Sequence, residues 1–324
     1  MTTEQASAQA LTAPLPMREG KGGGALILIT NDDGWQAPGI RALARAVSHL
    51  GEVWVVAPDG PRSGAACAIT TTRAVSYRQL SAADLPEAAA AGMHWFACSG
   101  TPVDCVKLAL HGIVPRQPDL LLSGINAGDN ASISVHYSGT MGAVLEGCMK
   151  GTPSIGFSLY LKRGQRYDEH PVGQDTLDEI GHFCAQVLQR GLSQDVCLNV
   201  NIPTDQPFRG WRLARQARGW WSAEWEPEDE AGQGGADAGA DAVTGTGTDA
   251  ATDPGTDTTT DTGAAPIRRF RLTGTFTDLE PDATDTDFAA LRAGYCSVVP
   301  VTTDTTAHAA MHNLQSSISN LQMK

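Results

Sequence analysis

One stretch constrains this chain more than any other: Leu26-Ile27-Leu28-Ile29-Thr30-Asn31-Asp32-Asp33-Gly34, an apolar run that ends in two adjacent carboxylates. Four apolar residues without alternation suit a strand covered on both faces by helices, which points to a mostly parallel α/β sheet. In such sheets ligands collect beyond the carboxyl ends of the strands, where Asp32 and Asp33 stand. Neighbouring residues of an extended chain point to opposite faces, so both carboxylates face one ion only if the backbone turns, as Gly34 permits. Two adjacent carboxylates repel, and a divalent cation is the simplest relief. The competing reading is an Asn-Asp-Asp-Gly turn that only leads into the next helix.

The chain continues in the same style. Pro38 opens a helix whose apolar face is Ile40, Leu43, Ala44, Val47 and Leu50, and Val53 to Val56 form the next strand. Strand, helix and strand follow in the length a parallel crossover needs, but without G-x-G-x-x-G, so a dinucleotide fold has little support. A Pro- and Gly-rich loop, Ala57 to Ala66, carries Ser63 toward the same rim as Asp32, although a solvated surface loop reads equally simply. Trp95 to Cys98 is the third strand. Thr101, Pro102 and Asp104 then read as N-cap, N1 and N3 of a helix. Asp119 to Leu122 is a strand that runs into Ser123-Gly124-Ile125-Asn126-Ala127-Gly128-Asp129-Asn130, and Tyr137-Ser138-Gly139-Thr140 opens a further helix. The amide oxygen of Asn126 suits a hard cation, and the Ser138 helix start offers N–H and hydroxyl donors to a phosphate. The plainer reading of these glycines is tight turns. Pro153 to Leu159, Leu177 to Leu188 and Val196 to Ile202 complete the strand, helix and strand order.

Composition bounds the rest. Of the 36 acidic residues, those between Ser222 and Gly263 meet no Lys or Arg, so much of the net charge of −13 sits on one Asp-, Thr-, Gly- and Ala-rich tract. The remainder is nearly balanced, which argues against a stable nucleic-acid complex. The tract is too polar to repay ordering and reads as a disordered insertion. The expected organisation is a disordered extension over residues 1–24, an α/β core over 25–221, the insertion over 222–265, and the rest of the domain over 266–324. Seven scattered cysteines without a C-x-x-C pair read as reduced thiols of a cytoplasmic protein. No apolar run approaches the roughly 20 residues that cross a bilayer, so no membrane partner is expected. Gly210 to Trp221 is basic and aromatic, suited to base stacking or, more simply, to core or interface packing.

With these clusters in view the chain resembles the SurE family, the survival-protein E 5′/3′-nucleotidases. The resemblance rests on Ile27 to Gly34, Ala57-Pro58 with Arg62-Ser63-Gly64, Ser99-Gly100-Thr101-Pro102, Ser123 to Asn130, Tyr137 to Thr140, Leu198 to Pro203, and Asp285 to Phe288 with Gly294-Tyr295. It implies a Rossmann-like α/β sheet flanked by helices, a C-terminal oligomerisation arm, and a homodimer or homotetramer. It also implies one divalent cation per subunit, Mg²⁺ or Mn²⁺, on Asp32, Asp33, Ser63 and Asn126, with Asp32 and Asp33 catalytic. The phosphate of a nucleoside monophosphate substrate would then lie on Asn31, Gly64, Asn130, Ser138, Gly139 and Thr140. An all-oxygen donor set favours these ions over Zn²⁺. The chain departs from the family at Ala66 and Cys67, where a Gly and a polar residue are usual. A nucleotide-binding regulator without hydrolytic activity is the alternative from another class. An interaction protein working through the acidic tract is a third.

Overall fold

The computed structural model describes residues 24–86, 91–162, 165–227, 268–308, 310–311 and 314. The N-terminal extension before residue 24 and the acidic tract over 228–267 lie outside the described residues. In chain order the elements are β1 (Ala25–Thr30), α1 (Pro38–Val47), β2 (Gly51–Pro58), β3 (Tyr77–Gln79), β4 (His94–Cys98), α2 (Pro102–Leu108), β5 (Leu120–Asn126) and α3 (Gly139–Met149). They continue with β6 (Ser154–Tyr160), α4 (Gln174–Arg190), β7 (Val196–Pro203), β8 (Trp211–Leu213), β9 (Gly219–Ser222) and β10 (Trp225–Pro227). The last are β11 (Phe270–Leu272), β12 (Thr275–Asp278), α5 (Asp287–Arg292) and β13 (Cys296–Thr302).

Nine strands form one sheet in the order β3-β4-β2-β1-β5-β6-β7-β13-β8. From β4 to β7 every neighbouring pair is parallel, while β3 and β13 run antiparallel to β4 and β7. This is the Rossmann-like α/β architecture, a mostly parallel sheet flanked by helices. Alternate residues of β1 serve opposite faces. Ile27 and Ile29 pack with Ile40, Leu43 and Val47 of α1 and Leu177 and Ile180 of α4. Leu26 and Leu28 pack with Cys105 and Val106 of α2 and Met141 and Val144 of α3. Both faces are therefore dry, which is why the strand reads as an unbroken apolar run.

The chain goes outward from β1 through β2 to β4 and returns to start again at β5, on the other flank of β1. The crevice between the carboxyl ends of β1 and β5 is thus the switch point of the sheet, where nothing crosses over to fill it.

Two sequence expectations shift. The strand expected over Asp119 to Leu122 continues to Asn126, with a break in register between Ser123 and Asn126. Gly124 makes this possible: at φ 125° its backbone lies so close to β6 that a Cβ would sit 2.2 Å from the Phe157 carbonyl oxygen. At the start of the expected insertion, Ser222 closes β9 and Trp225–Pro227 pairs antiparallel with Phe270–Leu272; the expected insertion from residue 228 on lies outside the described residues. Alternating large side chains give these few residues strand character that composition averaged over the tract hides. In the Gly210 to Trp221 segment, Trp211 packs against Phe183 at 4.7 Å and Phe208 at 5.2 Å, while Trp220 is exposed. Among the described residues no helix is long and apolar enough to cross a membrane, and the seven cysteines are free, with Cys67 exposed and the others buried.

Candidate functional site

The turn after β1 is built from its own side chains. Asn31 is buried, its Nδ2 donates to the Gly34 carbonyl at 3.0 Å and its Oδ1 accepts from the Gly34 amide at 3.2 Å. These two bonds make the Asn31 side chain a brace that aims Asp32 and Asp33, and its Nδ2 keeps a second N–H beyond the turn. Gly34 takes φ 94°, and the Trp35 amide donates to the Pro58 carbonyl at 2.9 Å, seating the turn on the loop after β2.

Three separate segments close on this turn. The Arg62 amide donates to the Asp32 carbonyl at 2.6 Å, which brings Ser63 beside it. The Ala127 amide donates to Asp33 Oδ2 at 3.2 Å, which brings Asn126 alongside. Thr140, at the start of α3, donates its hydroxyl to Asp32 Oδ1 at 2.5 Å, and the Gly139 and Thr140 amides also serve Asp32. The Thr140 hydroxyl, expected to face a phosphate, thus donates to the Asp32 carboxylate here. A buried anion needs such donors, and the positive end of an 11-residue helix supplies them. Ser138 is the helix N-cap, its Oγ accepting from the Met141 amide at 3.0 Å, which leaves its hydroxyl proton to donate elsewhere.

Electrostatics separate the two carboxylates. Burial pushes the Asp32 carboxyl up, against the pull of the Thr140 hydroxyl and the nearby amides. Burial, and then the neighbouring Asp32 charge, push Asp33 up to about 7, with only the Ala127 amide pulling down. Among the described residues no cationic side chain is among the groups acting on either.

The donor chemistry fits a hard divalent cation. Among the described residues no group of three or more His, Cys, Asp or Glu is placed to hold a metal. The set here draws half its oxygens from elsewhere: Asp32 and Asp33 carboxylates, the Ser63 hydroxyl and the Asn126 amide oxygen. Asn126 Nδ2 donates to the Gly128 carbonyl at 2.7 Å, which fixes the amide and leaves Oδ1 as its free acceptor. An uncompensated carboxylate pair flanked by neutral oxygens suits Mg²⁺ or Mn²⁺. Gly64, at φ 74°, has open space beside its Cα and leaves room on the loop for a ligand.

Asn130 is buried, and its Nδ2 donates to Ser158 Oγ at 2.7 Å. Its amide donates to Asn201 Oδ1 and its carbonyl accepts from Asn199 Nδ2, each at 2.8 Å. Asn130 therefore anchors the 126–132 loop, and its Nδ2 keeps a second N–H beyond the bond to Ser158. Asn199 and Asn201 were not foreseen as part of the site. Their signal is legible: two amides at strand spacing inside the apolar run Val196–Pro203, buried on one face. Ala66 takes φ 48°, a left-handed conformation that glycine adopts without the steric cost alanine bears.

The chain matches the family described as Survival protein SurE over residues 27–223. It is 40% identical over 293 residues to the 5′-nucleotidase SurE of Phocaeicola vulgatus, covering 90% of this chain and 95% of that protein. It is likewise 40% identical over 299 residues to the 5′-nucleotidase SurE of Bacteroides fragilis, covering 90% and 96%. Among solved structures it is similar to the SurE protein from Aquifex aeolicus, with a TM-score of 0.61, 28% identity, and 90% and 98% of the two chains covered.

Proposed function

The chain belongs to the SurE family, and from that membership we propose that it is a metal-dependent nucleotidase, hydrolysing nucleoside 5′- and 3′-monophosphates to nucleoside and phosphate. The relatives named 5′-nucleotidase support a phosphoric monoester hydrolase. The observation that supports the reading is that three separate segments bond to the turn carrying Asp32 and Asp33 at the switch point: Arg62, next to Ser63, Ala127, next to Asn126, and Thr140.

Those four residues would hold one Mg²⁺ or Mn²⁺. When bound, the ion offsets charge on the phosphoryl oxygens and acidifies the attacking water. The chain supplies the rest. Asp32 has its Oδ1 engaged by the Thr140 hydroxyl and lies against the start of α3, so it is held in place as a ligand. Asp33 meets only the Ala127 amide, so its carboxylate is the one free to accept the proton of the water that attacks phosphorus, as the P–O bond to the nucleoside breaks. The Ser138 hydroxyl and the Gly64 backbone would grip the phosphate, with Asn31, Asn130, Gly139 and Thr140 around it. Exposed Trp225, Phe270 and Leu272 on the paired β10 and β11 support assembly into a homodimer or homotetramer, which light scattering checks.

The test is phosphate release from 5′-AMP and 3′-AMP after EDTA treatment, with Mg²⁺ or Mn²⁺ added back. Release restored by metal is expected. Nucleotide binding with no release under any metal replaces the enzyme with the regulator reading.

A further inference from the structure

Far from β1 in sequence, the motif Asp285 to Phe288 ends in a buried carboxylate that the chemistry above does not use. Asp287 is fully buried. Its Oδ2 accepts from the Ser132 amide at 2.7 Å, and its Oδ1 accepts from the Ala217 amide at 3.0 Å and the Phe288 amide at 2.9 Å. Ser132 Oγ in turn donates to the Ala217 carbonyl at 2.9 Å. Burying an ionised carboxylate is costly, and a helix start alone does not need one, since Thr286 already caps α5 by accepting from the Ala289 amide at 3.2 Å. What the charge adds is a grip on the loop 155 residues away.

That loop carries Asn126. Its far side is bolted at Asn130 by Asn199 and Asn201 and, at Ser132, itself held at φ 51°, by Asp287. Between those bolts and the end of β5, the Gly128 carbonyl fixes the Asn126 amide, and the Ala127 amide reaches Asp33. We propose that Asp287 is a positioning residue of the site: it sets the 126–132 loop from the C-terminal part of the chain and so orients the Asn126 amide and the Ala127 contact to Asp33. The inference deepens the metal-site reading of this loop and rests on it.

Asp287→Asn is nearly isosteric and selective. Keeping Oδ1 on the Ala217 and Phe288 amides turns its NH₂ against the Ser132 amide, donor facing donor, so the loop contact is the one lost. Ser132→Gly keeps the amide, suits the left-handed backbone and removes the CH₂OH side chain with its bond to the Ala217 carbonyl. The readouts are kcat and KM for 5′-AMP at saturating Mn²⁺, Mn²⁺ affinity from the electron-spin signal of the free ion, and hydrogen exchange over residues 127–135. For Asp287→Asn we expect Mn²⁺ affinity and kcat each to fall about 10- to 100-fold, with faster exchange confined to the loop. Ser132→Gly should stay within about threefold of wild type. Wild-type affinity, kcat and loop exchange in Asp287→Asn would overturn the proposal, as would exchange that rises equally across β1 and β2, which is global loosening. If Asp287→Asn does not fold, the wild-type Ser132 amide decides: slow exchange by NMR supports the grip, and rapid exchange refutes it. A wild-type protein that binds Mn²⁺ but releases no phosphate sinks the nucleotidase reading while affinity and exchange still judge Asp287.

Discussion

Gly139→Ala is the most informative single change, because it touches Asp32 without altering any charge or donor. Gly139 opens α3 and is not among the glycines with positive φ, so alanine suits its backbone and helix propensity would favour the substitution by up to about 1 kcal/mol. The obstacle is steric. A Cβ there would lie 2.8 Å from Asp32 Cβ and 3.0 Å from Asp32 Oδ2. Ordinary carbon contacts sit at about 3.5–4.0 Å, so Asp32 and the helix start must separate by roughly 0.7–1.2 Å. Asp32 has little freedom to move: its carbonyl accepts from the Arg62 amide at 2.6 Å and its Oδ1 from the Thr140 hydroxyl at 2.5 Å. Stretching the charge-assisted bond to Thr140 forfeits about 1.5–3 kcal/mol, which the helix gain partly offsets, leaving a net loss of about 1–2 kcal/mol. For a chain of this size that is a fall in Tm of about 2–8 °C. Catalysis should suffer more, since a displacement near 1 Å at a reacting centre costs about 100-fold in rate. The assay is phosphate release from 5′-AMP in saturating Mn²⁺ beside a thermal melt. A kcat within about twofold of wild type would refute the claim that α3 holds Asp32 in its working position.

Asp33→Asn removes the free proton acceptor and one anionic ligand, and should lower kcat for 5′-AMP by at least about 100-fold even in excess Mn²⁺, as read by phosphate release. Tyr167 carries a buried hydroxyl without a hydrogen-bond partner among the described residues, so Tyr167→Phe should leave chemical stability unchanged or raise it by about 1 kcal/mol in urea unfolding. Burial pushes the Tyr167 phenol up from 10.0 to about 12, so the folded state holds its proton more tightly than the unfolded chain. Its contribution is complete below pH 10 and is lost as pH rises toward 12, a decline that Tyr167→Phe should flatten. Ala66→Gly relieves a left-handed residue at φ 48° and should stabilise by about 0.5–1 kcal/mol; a lower Tm would show that Ala66 is not strained.

The strands and helices that bury apolar faces were legible because burial writes itself into period and run length: β1 as a continuous apolar stretch, α1 through Ile40, Leu43 and Val47, α2 through its Thr101, Pro102 and Asp104 start. Asp32 and Asp33 stood out for the same reason, as charges where an apolar strand stops. The short β8 to β12 leave too little pattern in three or four residues, and the seven-residue antiparallel β13 carries a Pro in its interior and pairs with β7 far back along the chain. The roles of polar side chains divided in the same way. Sequence marked Asn31, Asn130, Gly139 and Thr140 as polar groups near the rim, and a rim residue reads as a ligand contact. Only the tertiary structure shows that Asn31 closes its own turn, that Asn130 is gripped by Asn199 and Asn201, and that Thr140 serves Asp32 from 108 residues away. A hydrogen bond is decided by direction and distance between groups that the chain order does not bring together, whereas burial is decided by residue type repeated along it.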